Sequence, residues 1–336
     1  MSEMIKAKAI LCVELNAVAV REIEVPRPAA GEILTETICT CVSPGTELRT
    51  MSGGHPQSDQ RPFIPGYANV GRVVDRGPGV TMPLGTMVLC GGTTKASVPR
   101  LWGAHVSHAL CLAHDAIPIP ESLNDPVAAS VARLLAIAYH GCRLSNPRID
   151  EKVAVVGLGP IGMMSALVHT LSGARVVGFD LYEERVALAR SLGLEVIRVE
   201  GDLVRAAQAV FPEGADVVVD STGVPAVLRQ SVRIGRTPAW NQTLRDLPRF
   251  VVQGSYPGDI AFDYHDVFSR EYVVLFPRDR TRFDVEASFD LISRQKIDVR
   301  RLVGKPFTPE SAPEVYRTLR EKPQQMLTAV FAWRKE

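Results

Sequence analysis

Up to Pro120 the chain alternates short apolar runs with turn-forming residues, and it shows no long helical repeat of apolar positions. The runs are rich in β-branched and apolar residues and are separated by glycines and prolines, which is the pattern of strands joined by turns. This part of the chain is therefore predicted to be a β-rich domain. Its predicted strands are 7–13, 17–25, 32–41, 70–75, 87–89, 109–112 and 116–119.

After Pro120 the pattern changes to helices that alternate with strands. Residues 126–142 place apolar side chains on one helical face, and Asp125 can cap this helix. From Val153 onward the alternation is typical of a parallel sheet with crossover helices, so the predicted fold class is α/β. The predicted strands are 153–156, 174–179, 195–199, 217–220, 250–254, 272–276 and 326–333; a helix follows Gly162, and others cover 184–192, 203–210, 226–234, 285–293 and 313–321.

Residues 236–249 do not fit this alternation, because a short turn would connect the helix that ends near Ile234 to the strand at Phe250. A solvated surface loop is one interpretation of the extra length. A lid or a subunit contact that carries Trp240 is the other.

Residues 153–180 combine a strand, a glycine-rich turn, a helix and a second strand that ends in an acidic residue. Gly157 permits a tight turn, Gly159 lets the backbone approach a pyrophosphate, and Gly162 lets the helix pack closely on the strand. The first N–H groups of the helix then face the phosphates. The predicted dinucleotide-binding turn is Gly157, Leu158, Gly159, Pro160, Ile161 and Gly162.

Asp180 ends the second strand of this unit. A carboxylate there can accept both ribose hydroxyls of NAD and would repel the 2′-phosphate of NADP. The sequence therefore predicts NAD as the cofactor.

The composition narrows the range of partners. Among 336 residues, 38 Lys and Arg nearly cancel 37 Asp and Glu, so no general attraction to nucleic acid or to an anionic membrane is expected. No stretch approaches the roughly 18 uninterrupted apolar residues of a membrane span, and no secretory signal pattern is found. We expect a cytoplasmic protein of about two domains that acts on a small-molecule substrate.

The six cysteines are too scattered to predict a disulfide framework. Cys39 and Cys41 share one face of a predicted strand, as two buried apolar cysteines or two metal ligands would. Nothing nearby supplies the remaining ligands that zinc needs, so no metal site is predicted on them.

The order of these segments resembles the medium-chain dehydrogenase/reductase superfamily over essentially the whole chain. The similar segments are PAAGEILTETICTCVSPGTEL, FIPGYANVGRVVDRGPGVTMPLGTMV, VAVVGLGPIGMMSA, VVVDSTGV and VVQGSYPG. Within the superfamily, the SPGTE turn, the PGY and the GSYPGDIAFDY stretch are most similar to the branch that contains bacteriochlorophyllide a dehydrogenase.

The resemblance implies a Rossmann doubly wound parallel sheet in residues 134–276. It also implies a GroES-like β-rich catalytic domain made of residues 1–133 and 277–336. A homodimer formed through the edge strand of the Rossmann sheet is expected from the same resemblance.

The zinc alcohol dehydrogenases of this superfamily carry a Cys-Gly-Thr-Asp-type turn, a Gly-His-Glu and a third ligand on the linking helix. The corresponding positions here hold Pro44, Tyr67, Ala68 and Ala132, whose side chains cannot bind zinc. The four-cysteine structural zinc lobe is missing as well, because residues 90–111 contain only the two cysteines at its ends. We therefore expect no metal at either site.

Without zinc, side-chain donors must polarise and protonate a carbonyl oxygen. Thr46 occupies the position of the hydroxyl that relays the substrate proton in relatives, or it only satisfies a turn. Tyr67 replaces a metal ligand and either donates its O–H to the substrate or fills the vacated space. His140, near the end of the linking helix, is either a base or a packing residue.

Two charged neighbours have structural and functional interpretations. Glu47 is expected to brace the turn through a cationic partner. Arg133 follows the lost third ligand position, where it meets a substrate carboxylate or carbonyl or bridges the domains.

The resemblance also implies the remaining cofactor contacts. Thr222 and Gly223 end the fourth Rossmann strand beneath the nicotinamide side. The backbones of Gln253 and Ser255 hold the nicotinamide amide, and Arg185 lies over the adenine.

These expectations define an NAD(H)-dependent, zinc-independent oxidoreductase that interconverts a secondary alcohol and a ketone on a moderately large organic substrate. Reduction of a conjugated C=C bond with NAD(P)H is an alternative. A non-catalytic nucleotide-binding protein is another, because the fold alone does not define a function.

Overall fold

Antiparallel strands build the first part of the chain, as the alternation of apolar runs and turns predicts. The computed structural model describes residues 3–241, 243 and 247–334. The first seven strands are β1 (Met4–Glu14), β2 (Ala17–Pro26), β3 (Glu32–Cys41), β4 (Asn69–Arg76), β5 (Met87–Cys90), β6 (His108–Leu112) and β7 (Ile117–Pro118). Strands β1 and β2 form an antiparallel ribbon, while β3, β4, β5 and β7 are neighbours in a second sheet in which β6 also pairs with β3.

One short helix in this region differs from the sequence prediction, which has only a turn there. Helix α1 covers Pro44–Met51, directly after β3. Proline fits the first turn of a helix because the N–H that it lacks would have no helical partner there. Two turns are too short for a repeat of apolar positions to become visible in the sequence.

The second part of the chain alternates helices and parallel strands. Helix α2 (Pro126–Ser145) precedes β8 (Lys152–Val156), α3 (Pro160–Leu171), β9 (Arg175–Asp180), α4 (Glu183–Ser191), β10 (Glu195–Arg198), α5 (Leu203–Val210), β11 (Val217–Asp220), α6 (Pro225–Ser231), β12 (Arg249–Val252), α7 (Tyr264–Phe268) and β13 (Val273–Leu275). The six strands are all parallel and lie in the order β10, β9, β8, β11, β12, β13. The strand order reverses between β8 and β11, and ligands bind at the carboxyl ends of strands at such a point.

The chain then returns to the antiparallel sheet. Helices α8 (Arg282–Ser293) and α9 (Ala312–Glu321) lead to β14 (Val330–Ala332), which pairs with β3. Short 3₁₀ helices lie at Val232–Ile234, Val299–Leu302 and Pro309–Ser311. The last strand is shorter than the predicted 326–333, and α7 was not predicted because its five residues are too few for a helical repeat.

The described chain divides into two compact units. The first unit consists of Met1–Leu134 and Val285–Glu336, and the second unit is Leu135–Asp284. The sequence places the second crossing earlier, at 276/277. Asp284 belongs to the second unit, where its carboxylate is held by Arg143 and Thr281.

Each unit has its own apolar core. Ile33, Val73 and Leu110 are among the buried residues of one core cluster in the first unit, and Phe179 and Phe250 belong to the core of the second. All six cysteines are buried free thiols. Within the described residues, no helix has both the length and the apolar character that crossing a membrane requires.

The stretch 236–249 is anchored at its start, because Arg236 Nε donates to Asp216 Oδ1 over 2.6 Å. Trp240 is 92% exposed. Residues 242 and 244–246 lie outside the described residues, so the lid, the subunit contact and the plain surface loop all stay open as interpretations.

Candidate active site

The glycine turn of residues 157–162 requires glycine at two positions for different steric reasons. Gly157 follows β8 with a φ of +84°, and a Cβ there would lie 2.8 Å from Thr222 Cγ2. A Cβ on Gly162 would lie 1.8 Å from the carbonyl oxygen of Gly157. Glycine is therefore required at position 157 by the positive φ and the close Thr222 side chain, and at position 162 by the close approach of the turn's own backbone.

The space beside the same turn is open. No atom lies within 4 Å of the position that a Cβ on Gly159 would take. Gly159 is the N-cap of α3, with no side-chain cap, and Pro160 and Ile161 begin the helix. The first N–H groups of a helix have no partner within it and carry partial positive charge, so an anion such as a pyrophosphate fits this position.

Asp180 lies against the glycine turn and is held in a fixed orientation. Its Oδ2 accepts the N–H of Leu158 over 2.7 Å, and its Oδ1 accepts the N–H of Tyr182 over 2.9 Å. The residue is only 6% exposed. Each carboxylate oxygen has a second lone pair, which can accept a ribose hydroxyl.

Arg185 lies close to this carboxylate. Its Nη1 is 3.5 Å from Asp180 Oδ2, and its guanidinium carbon is 4.9 Å from the centroid of the Tyr182 ring. The positive charge of Arg185 thus lies beside the predicted ribose site, where it can also bind a phosphate.

A buried carboxylate that the sequence analysis missed organises the end of β11. Asp220 is fully buried and accepts the N–H and the hydroxyl of Thr222, over 2.9 and 2.7 Å. It also accepts the hydroxyls of Ser231 and Tyr256. Burial and the nearby Asp220 charge raise the pKa of Tyr256, so its phenol stays protonated and keeps donating.

Thr222 and Gly223 are thereby brought next to the end of β12. Gly223 has a φ of +67°, and a Cβ there would lie 2.7 Å from the carbonyl oxygen of Ser255. Gln253 donates its backbone N–H to the Asp220 carbonyl and its side-chain Nε2 to the Ile137 carbonyl. The four residues predicted for the nicotinamide side are therefore neighbours in the structure.

Two buried polar atoms at these strand ends have no hydrogen-bond partner within the described residues: Ser221 Oγ and Gln253 Oε1. Buried polar atoms without a partner in the protein are rare, and a ligand or a water molecule usually forms the hydrogen bond instead. The open space at Gly159, the helix N-terminus beside it and the oriented Asp180 fit a dinucleotide, and these two atoms lie at the carboxyl ends of the same sheet.

In the first unit, three hydroxyl side chains lie together; we call Ser43, Thr46 and Tyr67 the hydroxyl cluster. Tyr67 Oη lies 2.5 Å from Ser43 Oγ, and the Thr46 hydroxyl also hydrogen bonds to Tyr67. Burial raises the pKa of the phenol, against the opposing influence of Arg133 and the two hydroxyls. Tyr67 is therefore a protonated donor at neutral pH.

The structure thus places the predicted residues Thr46 and Tyr67 side by side and adds Ser43, which the sequence analysis did not select. Ser43 precedes a helix, so its usual interpretation is a helix cap. Only the contact with Tyr67, 24 positions away, indicates another role.

Glu47 braces the cluster from inside the unit. Its fully buried carboxylate accepts the N–H of Ser43 over 2.7 Å and the hydroxyl of Tyr316 over 2.5 Å, and it lies 3.0 Å from His105 Nε2. Glu47 thus braces the turn, but through a histidine and a tyrosine that are 58 and 269 positions away, where the sequence predicts a cationic side chain. His105 is in turn bound to Thr40 at its Nδ1.

Arg133 faces the phenol of Tyr67. Its guanidinium carbon lies 4.6 Å from the ring centroid, and the residue is 5% exposed. Trp102 packs against the same tyrosine in an edge-to-face arrangement, with the ring centroids 5.7 Å apart. A buried cation near a phenol favours the negative charge that the phenol acquires when it gives up its proton.

His140 has a different environment, in the second unit. Its Nδ1 is 2.9 Å from Asp284 Oδ2. Burial raises the pKa of Asp284, but hydrogen bonds from Thr281 and the ion pair with Arg143 outweigh it and lower the pKa overall. A carboxylate that holds His140, Arg143 and Thr281 together is typical of a structural cluster, which favours the packing interpretation of His140.

The residues at the superfamily's zinc positions do not fit a metal. Pro44, Ala68 and Ala132 have no donor atoms, and Tyr67 is a neutral phenol bound to Ser43. In the part of the chain that the structure describes, no three His, Cys, Asp or Glu side chains lie close enough to hold an ion. No chemical step is therefore assigned to zinc.

Comparisons with known proteins agree with this fold. Residues 160–238 match a family model described as zinc-binding dehydrogenase. A relative from Haemophilus influenzae, named an uncharacterized zinc-type alcohol dehydrogenase-like protein, is 25% identical over 98% of this chain and 100% of its own. The L-threonine 3-dehydrogenase of Mesorhizobium japonicum is 28% identical over 80% of each chain.

Solved structures show the same architecture. An Escherichia coli CFT073 protein described as a short chain alcohol dehydrogenase (rspB), complexed with NADH, has a TM-score of 0.83 at 19% identity, over 98% of this chain and 99% of its own. A Sinorhizobium meliloti 1021 protein described as a putative zinc-binding dehydrogenase, bound to NADP, has a TM-score of 0.81 at 22% identity over 98% and 99%. The predicted fold class is confirmed.

The H. influenzae match and both structural matches cover 98% of the chain, far beyond the segment that fits the family model. Both bound cofactors are nicotinamide dinucleotides, the class that the second unit fits. The chain is thus similar to alcohol and threonine dehydrogenases over most of its length, and it is an enzyme of the oxidoreductase class.

Proposed function

We propose that this chain is an NAD(H)-dependent, zinc-independent oxidoreductase that interconverts a secondary alcohol and a ketone on a moderately large organic substrate. The observation that carries the proposal is the hydroxyl cluster, which includes the tyrosine at a position where zinc-dependent relatives have a metal ligand. The M. japonicum relative, named L-threonine 3-dehydrogenase, supports oxidation of a secondary alcohol.

The bound nicotinamide would supply or accept a hydride, and the protein residues supply the rest. Ile161, Gly162 and the open face of Gly159 receive the pyrophosphate, and Asp180 accepts the ribose hydroxyls. The protonated phenol of Tyr67 donates to the carbonyl oxygen, and the Thr46 hydroxyl supports it.

NAD is proposed over NADP because Asp180 is oriented by two backbone N–H groups and is nearly buried, so a 2′-phosphate beside it would be repelled. The arginine 3.5 Å away, Arg185, is the feature that would weaken this preference.

Reduction of a conjugated C=C bond is the second candidate, and it is favoured by the same lack of metal donors together with Arg185. The two functions predict different products. Incubation of the protein with NADH or NADPH and a panel of bulky ketones and α,β-unsaturated ketones, followed by mass spectrometry and NMR of the products, separates them.

Our proposal expects NADH oxidation with formation of the secondary alcohol and an intact C=C bond. Saturation of the double bond with the carbonyl retained would establish the second candidate. Binding of NADH without turnover of any carbonyl or alcohol in the panel would instead favour the nucleotide-binding role.

Three further points stay proposals. Membership of the branch that contains bacteriochlorophyllide a dehydrogenase is supported by the SPGTE and PGY motifs, which supply Ser43, Thr46 and Tyr67. A homodimer through an edge strand of the Rossmann sheet is the second point; β10 and β13 are the strands at the two ends of that sheet, and light scattering of the purified protein tests it. A cytoplasmic location is the third.

A further inference from the structure

Ser43 occupies the N-cap of α1 but does not cap the helix with its side chain. A serine at this position normally accepts an N–H of the first turn through its hydroxyl. Here the backbone N–H of Ser43 is held by Glu47 Oε1, and the hydroxyl points to Tyr67 instead. The residue is 5% exposed, so this arrangement is enclosed by the protein.

The contacts of Glu47 keep Ser43 in this orientation. The carboxylate is fixed by Tyr316, 2.5 Å away, and by His105, 3.0 Å away. A Cβ on Gly66 would lie 2.5 Å from His105 Nε2, so the residue before Tyr67 also packs against this histidine. Ser43 and Tyr67 are therefore positioned by one rigid, buried set of contacts.

Two charged groups face the Tyr67 phenol. Arg133, on α2, favours the phenolate, and Glu47, on α1, disfavours it. The hydroxyls of Ser43 and Thr46 are neutral and can turn to donate to the phenolate oxygen when it forms.

We propose that Ser43 and Arg133 are positioning residues that make the Tyr67 phenol a proton donor to the carbonyl oxygen of the substrate. This inference rests on the proposed function, and it assigns the donation of a proton to the carbonyl oxygen, a step in which no metal takes part. Ser43 acts through its hydrogen bond, and Arg133 acts through its charge.

The proton and electron balance is complete in the direction of reduction. The carbonyl carbon would receive a hydride from bound NADH, and the π electron pair of C=O would move to the oxygen. That oxygen takes the proton of Tyr67 Oη, which leaves a phenolate. Ser43 and Thr46 then donate to the phenolate, Arg133 stabilises its charge, and a proton from water restores the phenol.

The test measures the phenol directly, in the protein without cofactor or substrate. The seven tyrosines are replaced by 3-fluorotyrosine, whose phenol is more acidic, and the ¹⁹F resonance of Tyr67 is identified by its loss in Tyr67→Phe. The titration midpoint of this resonance is compared in wild type, Ser43→Ala, Ser43→Thr and Arg133→Met. Ser130→Ala is the matched control, because it removes another buried serine hydroxyl of the first unit, one that donates to the Val127 carbonyl.

Ser43→Ala should raise the midpoint by about one to two pH units, because the phenolate loses a hydrogen bond to a charged group. Arg133→Met should raise it as well, while Ser43→Thr and Ser130→Ala leave it within a few tenths of a unit. In turnover, Ser43→Ala should lower kcat at least about tenfold with NADH affinity unchanged, and Ser43→Thr should restore most of it.

An unchanged midpoint in Ser43→Ala overturns the inference, even where kcat falls, because the effect is then structural. A midpoint that shifts equally in Ser130→Ala overturns it too. If the midpoint shifts as expected but no ketone is reduced, the phenol is coupled to Ser43 and it is the proposed function that fails.

Discussion

The glycine turn of the second unit and the hydroxyl cluster of the first unit are built in opposite ways. The turn uses missing side chains, since a single Cβ on Gly162 would meet a backbone oxygen at 1.8 Å. The cluster uses side-chain hydroxyls held by buried partners far away in sequence, such as Glu47 and Tyr316. An added side chain at the glycine turn therefore disturbs the fold or the bound ligand. In the hydroxyl cluster, a substitution that keeps the shape of the side chain leaves the fold intact, and the loss of one oxygen removes only the proton donor.

The largest effect is expected at the glycine turn. Gly162→Val should weaken NADH binding by more than about 1,000-fold, roughly 4 kcal/mol, because the turn must open to accept the side chain. Isothermal titration calorimetry and a thermal melt check this. Gly159→Ala is the comparison: its Cβ meets nothing within 4 Å, so it should weaken NADH binding while the melting temperature stays unchanged. Normal NADH binding in both variants would show that the dinucleotide lies elsewhere.

Acid should lower the free energy of unfolding of the second unit, which contains the glycine turn, because of a buried histidine. His169 is fully buried on α3. Its Nδ1 donates a hydrogen bond to the Ser165 carbonyl, and burial lowers the pKa of the imidazole to about 4. The unfolded chain has a histidine pKa of about 6.5 and binds the proton first, so stability is present above that pH and falls as the pH drops toward 4. The loss is about 3 kcal/mol by pH 4, from about 2.5 pH units at 1.36 kcal/mol each.

Urea unfolding at pH 7 and pH 4 measures this loss in wild type, His169→Gln and a control, His114→Gln, whose histidine side chain is 75% exposed. The pH-dependent loss should shrink by about 3 kcal/mol in His169→Gln only. Equal losses in all three proteins would mean that His169 is solvated or already charged.

In the hydroxyl cluster, removal of single oxygens should affect turnover and spare binding. Tyr67→Phe and Thr46→Val keep nearly the same shapes, and each should lower kcat at least about tenfold, roughly 1.4 kcal/mol, with NADH affinity within a factor of about two. Steady-state kinetics with a ketone that the wild-type protein reduces, together with NADH titration, check this. Wild-type rates in both variants would move the proton donor elsewhere, with His140 or a water held by Glu47 next in line.

The smallest effect concerns cofactor choice. NADH should bind about tenfold tighter than NADPH, roughly 1.4 kcal/mol, and Asp180→Ser should remove most of that difference. Fluorescence titration with both cofactors measures it. Equal affinities in the wild type would indicate that Arg185 receives the 2′-phosphate, which favours the C=C reductase.

The dinucleotide-binding features of the second unit could be predicted from the sequence because the residues that indicate them are close together in the chain. Glycines at set spacing, flanking strands and the terminal Asp180 all lie within one continuous segment, and the strand and helix predictions there agree with the structure within a few residues. Asp220 was not recognised, because its importance depends on Ser231 and Tyr256, which only folding brings to it.

The hydroxyl cluster could be predicted only in part. Thr46 and Tyr67 came from resemblance to a motif, while Ser43 was hidden because a serine before a helix already has a structural explanation. The partners of Glu47 follow from long-range packing, which sequence periodicity does not encode. The helix α1 itself was predicted as a turn, since eight residues are too few to show a repeat.

We propose that hydroxyl side chains, and not a metal ion, stabilise the developing alkoxide. The most direct test is turnover of NADH with the true ketone substrate before and after exhaustive chelation, with the zinc content of the same samples measured by elemental analysis. We expect less than about one zinc per ten chains and a kcat unchanged by the chelator, because the positions of the metal ligands hold no donor set for zinc. Stoichiometric zinc whose removal abolishes turnover and whose return restores it would show that a metal ion, and not the hydroxyl cluster, stabilises the alkoxide.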